Sequence, residues 1–285
     1  MTNLNGFVVI DKPSGITSHD VVGKLRRALG TKRVGHAGTL DPMATGVLVL
    51  GINTATKFLQ YITEGKKSYL ATIRLGQSTS TDDKEGELLD SHDTSHVTDK
   101  SIQDALRKQV GTIMQVPSKV SAIKIGGKRA YDLVREGKDV EIPARQVEIS
   151  RISIIEIRHS EFIDIDIEVD CSAGTYIRSI ARDLGEFLGV GGHLIALRRT
   201  LVAPFDLSAA SPLENPVVLP LAQALQGLMP ARVLKFEELA ELKFGRALTK
   251  SEFDGVGVAI SPDGEIAAII ENRDYGAQPI AVFVS

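Results

Sequence analysis

The chain has 285 residues, 43% hydrophobic and 24% charged, with a net charge of −3 and a single cysteine. That composition excludes a disordered or fibrous chain, and one thiol excludes an internal disulfide or a multi-cysteine zinc centre. The length exceeds one typical domain, so a large domain followed by a small one is expected.

In chain order, Gly6–Ile10 reads as a strand. Thr17 or Ser18 can cap a helix whose apolar residues Val21, Val22, Leu25, Ala28 and Leu29 recur at helical spacing, and Gly30 is its natural stop. A glycine-rich loop through Asp41, a strand at Gly46–Gly51, a short helix containing Phe58, Leu59 and Ile62, and a strand at Ser68–Leu75 follow. A helix is expected from about Thr98 to Val110, leading into a polar, glycine-containing stretch rich in Lys and Arg. In Phe162–Asp170, Ile163, Ile165, Ile167 and Val169 alternate with Asp164, Asp166, Glu168 and Asp170, the pattern of a strand with one dry and one wet face. Val147–Ile157 is its antiparallel partner, and Thr175–Leu188 a helix. The prolines between Ala203 and Pro230 end regular structure and mark a boundary, with a small β-rich module of about 55 residues after it. Strand pairs broken by single helices, without βαβ alternation, indicate an α+β fold with a mixed, largely antiparallel sheet.

The opening MTNLNGFVVIDK has no basic or long apolar leader, and no stretch reaches the roughly 18 apolar residues of a membrane span, so a cytoplasmic protein is expected. The small net charge conceals clustering. Lys24, Arg26, Arg27, Lys32 and Arg33 face Asp20 alone, and Pro117–Gln146 is also net basic, whereas the tail from Ser251 carries six acids against Arg273. Basic patches on a mildly acidic chain suit an anionic partner bound on one face, although a solvated surface has the same signature.

The most informative stretch is Gly35-His36-Ala37-Gly38-Thr39-Leu40-Asp41-Pro42-Met43-Ala44-Thr45-Gly46, an acid in a loop between glycines just before a strand. On residue types alone an Asp-Pro pair is more often a turn or cap than a catalyst. The whole run, however, meets every fixed position of G-H-x-G-[TA]-L-D-P-x-A-x-G and so resembles the catalytic loop of the TruB family of tRNA pseudouridine synthases. Lys12-Pro13-Ser14-Gly15-Ile16-Thr17-Ser18, Lys67-Ser68-Tyr69, Leu75-Gly76, Thr79-Ser80-Thr81-Asp82, Gly174-Thr175-Tyr176-Ile177-Arg178-Ser179, Asp183-Leu184-Gly185, Gly191-Gly192-His193 and Leu197-Arg198-Arg199 resemble further elements of that family, in order, over residues 5 to 200. Gln115–Ala122 departs from it, with one proline where two are frequent and Val120 where an aromatic is common.

The resemblance implies the pseudouridine synthase fold over residues 1–228, an inserted RNA-binding thumb at about 113–145, and a PUA-like β-rich domain at 229–285. It implies a cofactor-free and metal-free isomerase acting on the uridine at position 55 in the T loop of tRNA; a monomer is expected, though not from the resemblance. Asp41 would be the catalytic carboxylate, acting either on the sugar or on the ring. Arg178 would pair with Asp41 and favour its charged form. Tyr69 would stack on the flipped base and assist proton loss from carbon 5. His36 would fill the space the base leaves, and Leu197 would wall the base. Lys12, Pro13, Tyr176, Lys124, Arg129 and Arg135 would complete the RNA-binding surface.

Two rival readings are a tRNA-folding chaperone, against which an intact Asp41, Tyr69 and Arg178 speak, and hydrolysis by an aspartyl nucleophile, which needs a metal or phosphate cradle. His92 and His96 have metal-pair spacing but sit in a poor helix, Ser91–His96, with no clear third ligand. Gly189-Val190-Gly191-Gly192 lacks both the P-loop and the dinucleotide spacing.

Overall fold

The computed structural model describes residues 4–118, the backbone of 124–125 and 128–129, and residues 142–284. Its elements are β1 (Gly6–Lys12), α1 (Ser18–Ala28), β2 (Val34–His36), β3 (Thr45–Ile52), a 3-10 turn (Asn53–Phe58) running into α2 (Leu59–Thr63), β4 (Lys67–Leu75), β5 (Gln77–Thr79), β6 (Leu88–Ser91), α3 (Asp99–Arg107) and β7 (Gly111–Gln115). Then come β8 (Lys124–Ile125), β9 (Lys128–Arg129), β10 (Arg145–His159), β11 (Ile163–Cys171), α4 (Ile177–Leu188), β12 (Gly192–Val202), β13 (Phe205–Asp206), β14 (Val218–Pro220), α5 (Leu221–Leu225), β15 (Ala231–Val233), α6 (Phe236–Lys243), β16 (Val256–Ile260), β17 (Ile266–Arg273) and β18 (Gly276–Val282).

A mixed sheet of ten strands organises the chain, in the order β14-β1-β3-β12-β4-β11-β10-β7, with β2 on β3 and β13 on β12. β3 and β12 run parallel where Arg198 meets Thr45 and Arg199 meets Gly46; the other neighbouring pairs are antiparallel. The expected α+β class with a mixed, largely antiparallel sheet holds.

Both faces of the central strands are covered, which is why they read as unbroken apolar runs. Val8, Ile10, Leu48 and Leu50 pack with Leu25, Ile73, Ile165 and Leu184 on one side, and Phe7, Val9, Val47 and Val49 with Phe58, Ile62 and Leu225 on the other. Strand β11, between β4 and β10, is dry on one face only. Its acids lie on the wet side and take Arg74, Arg151 and Arg158 as partners, through Asp164, Asp170 and Asp166.

Thr17 caps α1 and accepts from the Asp20 N–H, and Gly30, at φ +63°, turns the chain out after it. The predicted helix ends shift slightly: α3 stops at Arg107, and α4 starts at Ile177 because Thr175 and Tyr176 are not helical. The proline-rich stretch does not end regular structure, since β13, β14 and α5 lie within it. β14 pairs with β1 as an edge strand, where proline costs no ladder bond, and the Ser211 N–H donates to the Val9 carbonyl at 2.9 Å.

The C-terminal strands form a separate sheet, β15-β16-β17-β18, as the β-rich module anticipated. One face packs with Leu234, Leu242 and Leu248, while Val258, Ile266 and Ile269 join the core around Phe7 and Phe58. Among the described residues no helix is long and apolar enough to cross a membrane.

Candidate active site

Residues 37–44 link β2 to β3, and their carbonyls are held from several directions. Arg199, almost wholly buried on β12, donates from Nε to Val47 O (2.8 Å), from Nη2 to Gly38 O (3.1 Å) and from Nη1 to Thr39 O (3.4 Å). Ser18 Oγ both donates to Leu40 O (3.0 Å) and accepts from Leu40 N–H (2.8 Å). The Gly15 N–H donates to Pro42 O at 2.9 Å, and Ser14 Oγ to Met43 O at 3.2 Å. A buried loop carbonyl without such a partner would carry a desolvation penalty, so the loop is fixed by being satisfied.

Asp41 emerges from this loop at the wall of a cavity of about 270 Å³, lined by Thr63, Lys67, Tyr69, Tyr176, Arg178, Leu197 and Arg199 among others. Arg178, in the first turn of α4, meets it with Nε 3.2 Å from Oδ2 and Nη2 3.5 Å from Oδ1. The same guanidinium donates through Nη1 to Asp83 Oδ2 and to Thr81 O, both at 3.1 Å. Asp83 is itself buried and accepts from Thr81 Oγ1 at 2.6 Å and from the Glu85 N–H at 3.0 Å. One turn along α4, Arg182 reaches Asp82, so two arginines pin the 81–83 loop beside the cavity.

Burial pushes the Asp41 carboxyl above its ordinary pKa, Arg178 pulls it down, and Asp83 pushes it up again. Arg178 favours the charged form as expected, but burial outweighs it, because the cavity wall removes water that would solvate the carboxylate. Tyr69 is buried and its pKa is raised, also chiefly by burial, so its phenol is neutral at neutral pH.

The other expected residues fall in several places. Leu197 and Tyr176 line the cavity; the Tyr176 backbone is clamped by Gln115, its N–H donating to Oε1 at 2.8 Å and its carbonyl accepting from Nε2 at 3.1 Å. The Arg145 guanidinium stands 5.2 Å from the Tyr176 ring centre. His36 lies on β2 away from the cavity lining, half-buried, with no hydrogen-bond partner for Nδ1 among the described residues and its pKa lowered mainly by burial. Pro13 is exposed. Lys12 is fully buried, and its ammonium donates to the carbonyls of Pro13 (3.0 Å), Ile16 (2.7 Å) and Pro42 (3.2 Å); it ties two loops together rather than facing solvent. Arg135 and the side chains of Lys124 and Arg129 lie outside the described residues.

Asp83, Lys67 and Arg199 went unremarked as site residues in the sequence. Strand alternation carries a signal for one of them. Arg198 and Arg199 must point to opposite faces of β12: Arg198 pairs with Asp11 at the surface, and Arg199 goes inward. His92 and His96 flank an irregular stretch after β6, and Gly189 to Gly192 turn α4 into β12, where a Cβ on Gly185 would lie 2.1 Å from the Gly191 carbonyl carbon.

The architecture is that of the pseudouridine synthases. It superposes on a chain of an H/ACA RNP bound to a substrate RNA containing 2′-deoxyuridine with a TM-score of 0.71 at 22% identity, covering 98% of this chain and 85% of that one. A chain of an archaeal box H/ACA sRNP complex gives the same score at 23% identity, over 98% and 86%. Residues 26–177 match the model of the TruB family pseudouridylate synthase N-terminal domain, and 178–225 that of the tRNA pseudouridylate synthase B C-terminal domain. The protein named tRNA pseudouridine synthase B in Corynebacterium diphtheriae is 54% identical over 290 residues, covering 99% of this chain and 96% of that protein; its namesake in Arthrobacter sp. is 50% identical over 296 residues, covering 98% and 97%. The chain therefore belongs to the TruB family of pseudouridine synthases and is an RNA-modifying isomerase.

Proposed function

We propose that this chain converts the uridine at position 55 in the T loop of tRNA to pseudouridine, with Asp41 as the catalytic carboxylate. The observation that carries the reading is the Asp41 carboxylate, clamped by Arg178, opening into a cavity walled by Tyr69 and Leu197. The near-complete match to relatives named for tRNA supports the substrate class.

A uridine in a folded T arm must be unstacked and extruded to reach such a pocket, at a cost of roughly a few kcal/mol. Inside, Leu197 packs on one side of the base and the Tyr69 ring is available for stacking. Asp41 then acts at the sugar or the ring so that the C1′–N1 bond breaks, the base turns, and C1′ bonds to C5. N1 gains a proton as C5 loses one, so no external acid, base or oxidant is consumed. Arg178 holds the carboxylate in place throughout. The thumb at 113–145, with Lys124, Arg129 and Arg135, and the PUA-like module at 229–285 would grip RNA outside the pocket by phosphate contacts and shape.

The test is conversion of unmodified tRNA transcript by metal-free protein, mapped at single-nucleotide resolution. Conversion is expected at the T-loop uridine alone and is abolished in Asp41→Asn, which still binds tRNA. Folded wild-type protein that binds tRNA without converting it would favour the chaperone role, and conversion elsewhere would overturn the substrate.

A further inference from the structure

The cavity contains two buried cations that the chemistry above does not use. Lys67, at the start of β4, is 6% exposed, and Arg199, on the neighbouring strand β12, is 1% exposed. Both line the same cavity as Asp41 and Tyr69. They meet beneath Gly38, where a Cβ would lie 3.5 Å from Arg199 Nη1 and 4.0 Å from Lys67 Cε. Gly38, at φ +87°, leaves that space open.

Neither cation has an acid partner among the described residues. Lys67 Nζ donates to the carbonyls of Thr63 and Gly65, both at 2.7 Å, and Arg199 to those of Gly38, Thr39 and Val47. An ammonium has three donors, so Lys67 keeps one beyond these two. Burying a charge without a counter-charge is costly, and such an arrangement is retained where a counter-charge arrives with the ligand or during the reaction.

The reaction supplies one. If C1′–N1 breaks first, the bonding pair leaves on the uracil ring as a delocalised anion. If Asp41 adds to C6 first, the pair moves to O4 as an enolate. In both cases the pyrimidine carries negative charge before C5 bonds to C1′; afterwards the C5 proton departs, N1 is protonated and, on the second route, the Asp41–C6 bond breaks to release the carboxylate.

We infer that Lys67 is a further catalytic residue, the cation that stabilises the negative charge on the detached or activated uracil ring, and that Arg199 positions the catalytic loop beside it. This rests on the pseudouridine chemistry proposed above. Fixed charge aimed at charge that develops only in the transition state accelerates the step without tightening ground-state binding. Burial, the Arg199 guanidinium from β12 and, in the opposite sense, the Cys171 thiol from β11 act on the ammonium, with burial foremost, and lower its pKa to about 8.

The experiment compares wild type, Lys67→Met and Lys67→Arg in single-turnover cleavage of the glycosidic bond, on tRNA carrying uridine or 5-fluorouridine at the target. Fluorine makes the ring a better carrier of negative charge. Lys67→Met is expected to lose on the order of a hundredfold in rate on uridine, the scale for removing one preorganised donor, with tRNA affinity and melting temperature near wild type. The deficit shrinks on 5-fluorouridine, and Lys67→Arg recovers most of the rate. Equal deficits on both bases, or a deficit that appears only as weaker binding, would overturn the role. Should Lys67→Met not fold, the pH profiles decide: the wild-type rate falls above pH about 8 while that of Lys67→Arg does not, and parallel profiles refute the role. Wild-type inactivity on uridine would instead refute the pseudouridine reading itself.

Discussion

Burial of Asp41 raises its pKa while Arg178 draws it down, so the ionised carboxylate at neutral pH is held at some cost to stability. Because the folded pKa is raised, the protonated form is favoured in the native state, and stability from this group grows as pH falls through the folded pKa. The role proposed for Asp41 needs the ionised form, so activity would run the other way. The acid limb of the single-turnover rate is therefore expected above the ordinary carboxylate value of 3.8, and a limb at or below it would count against the assignment. Asp41→Asn removes the charge while Arg178 keeps Asp83 and the Thr81 carbonyl, so its melting temperature should equal or exceed that of wild type. Asp41, Tyr69 and Arg178, which line one cavity, were legible as candidates from contiguous motifs whose offsets survive in one dimension. Asp83 was not, because its burial follows from Asp82 adopting φ +58° and from α4 passing beside that loop.

At the scale of elements, the parallel seam between β3 and β12 sets the position of the Asp41 loop. Gly46 sits on that seam at φ +99°, and a Cβ there would lie 2.1 Å from Arg199 O. Gly30 also has positive φ but faces open space. Gly30→Ala should cost about 1 kcal/mol from the left-handed backbone alone, whereas Gly46→Ala should cost about 3 kcal/mol or more, since a backbone oxygen has nowhere to go. Denaturant midpoints compare the two, and equal losses would refute the seam's importance. Alternation exposed β11 in the sequence because only one of its faces is dry, while β1 and β3, dry on both, showed only an apolar run. The proline-rich stretch misled for a related reason: proline ends a central strand, but an edge strand such as β14 tolerates it.

For the molecule as a whole, the C-terminal sheet is both a module and a wall of the core. Val258, Ile266 and Ile269 pack with Phe7, Val9 and Phe58, and the Phe58 and Phe283 rings lie 5.6 Å apart. A chain ended at residue 228 should lose about 3 kcal/mol, or roughly 6–12 °C in melting temperature, and expose an apolar face that binds a hydrophobic dye. An unchanged melting temperature would mean that the module is thermally independent.

By itself the sequence determined the fold class, many of the elements and the family, and it marked Asp41 as the candidate catalytic residue, since motif offsets and hydrophobic periods are properties of neighbours along the chain. Only the tertiary structure decided that Lys12 is a buried tie, that Arg178 is shared between Asp41 and Asp83, and that Lys67 and Arg199 meet under Gly38. The physical reason is that sheet order, β3 beside β12 beside β4, brings residues more than a hundred positions apart into contact, and desolvation there changes what each charge can do.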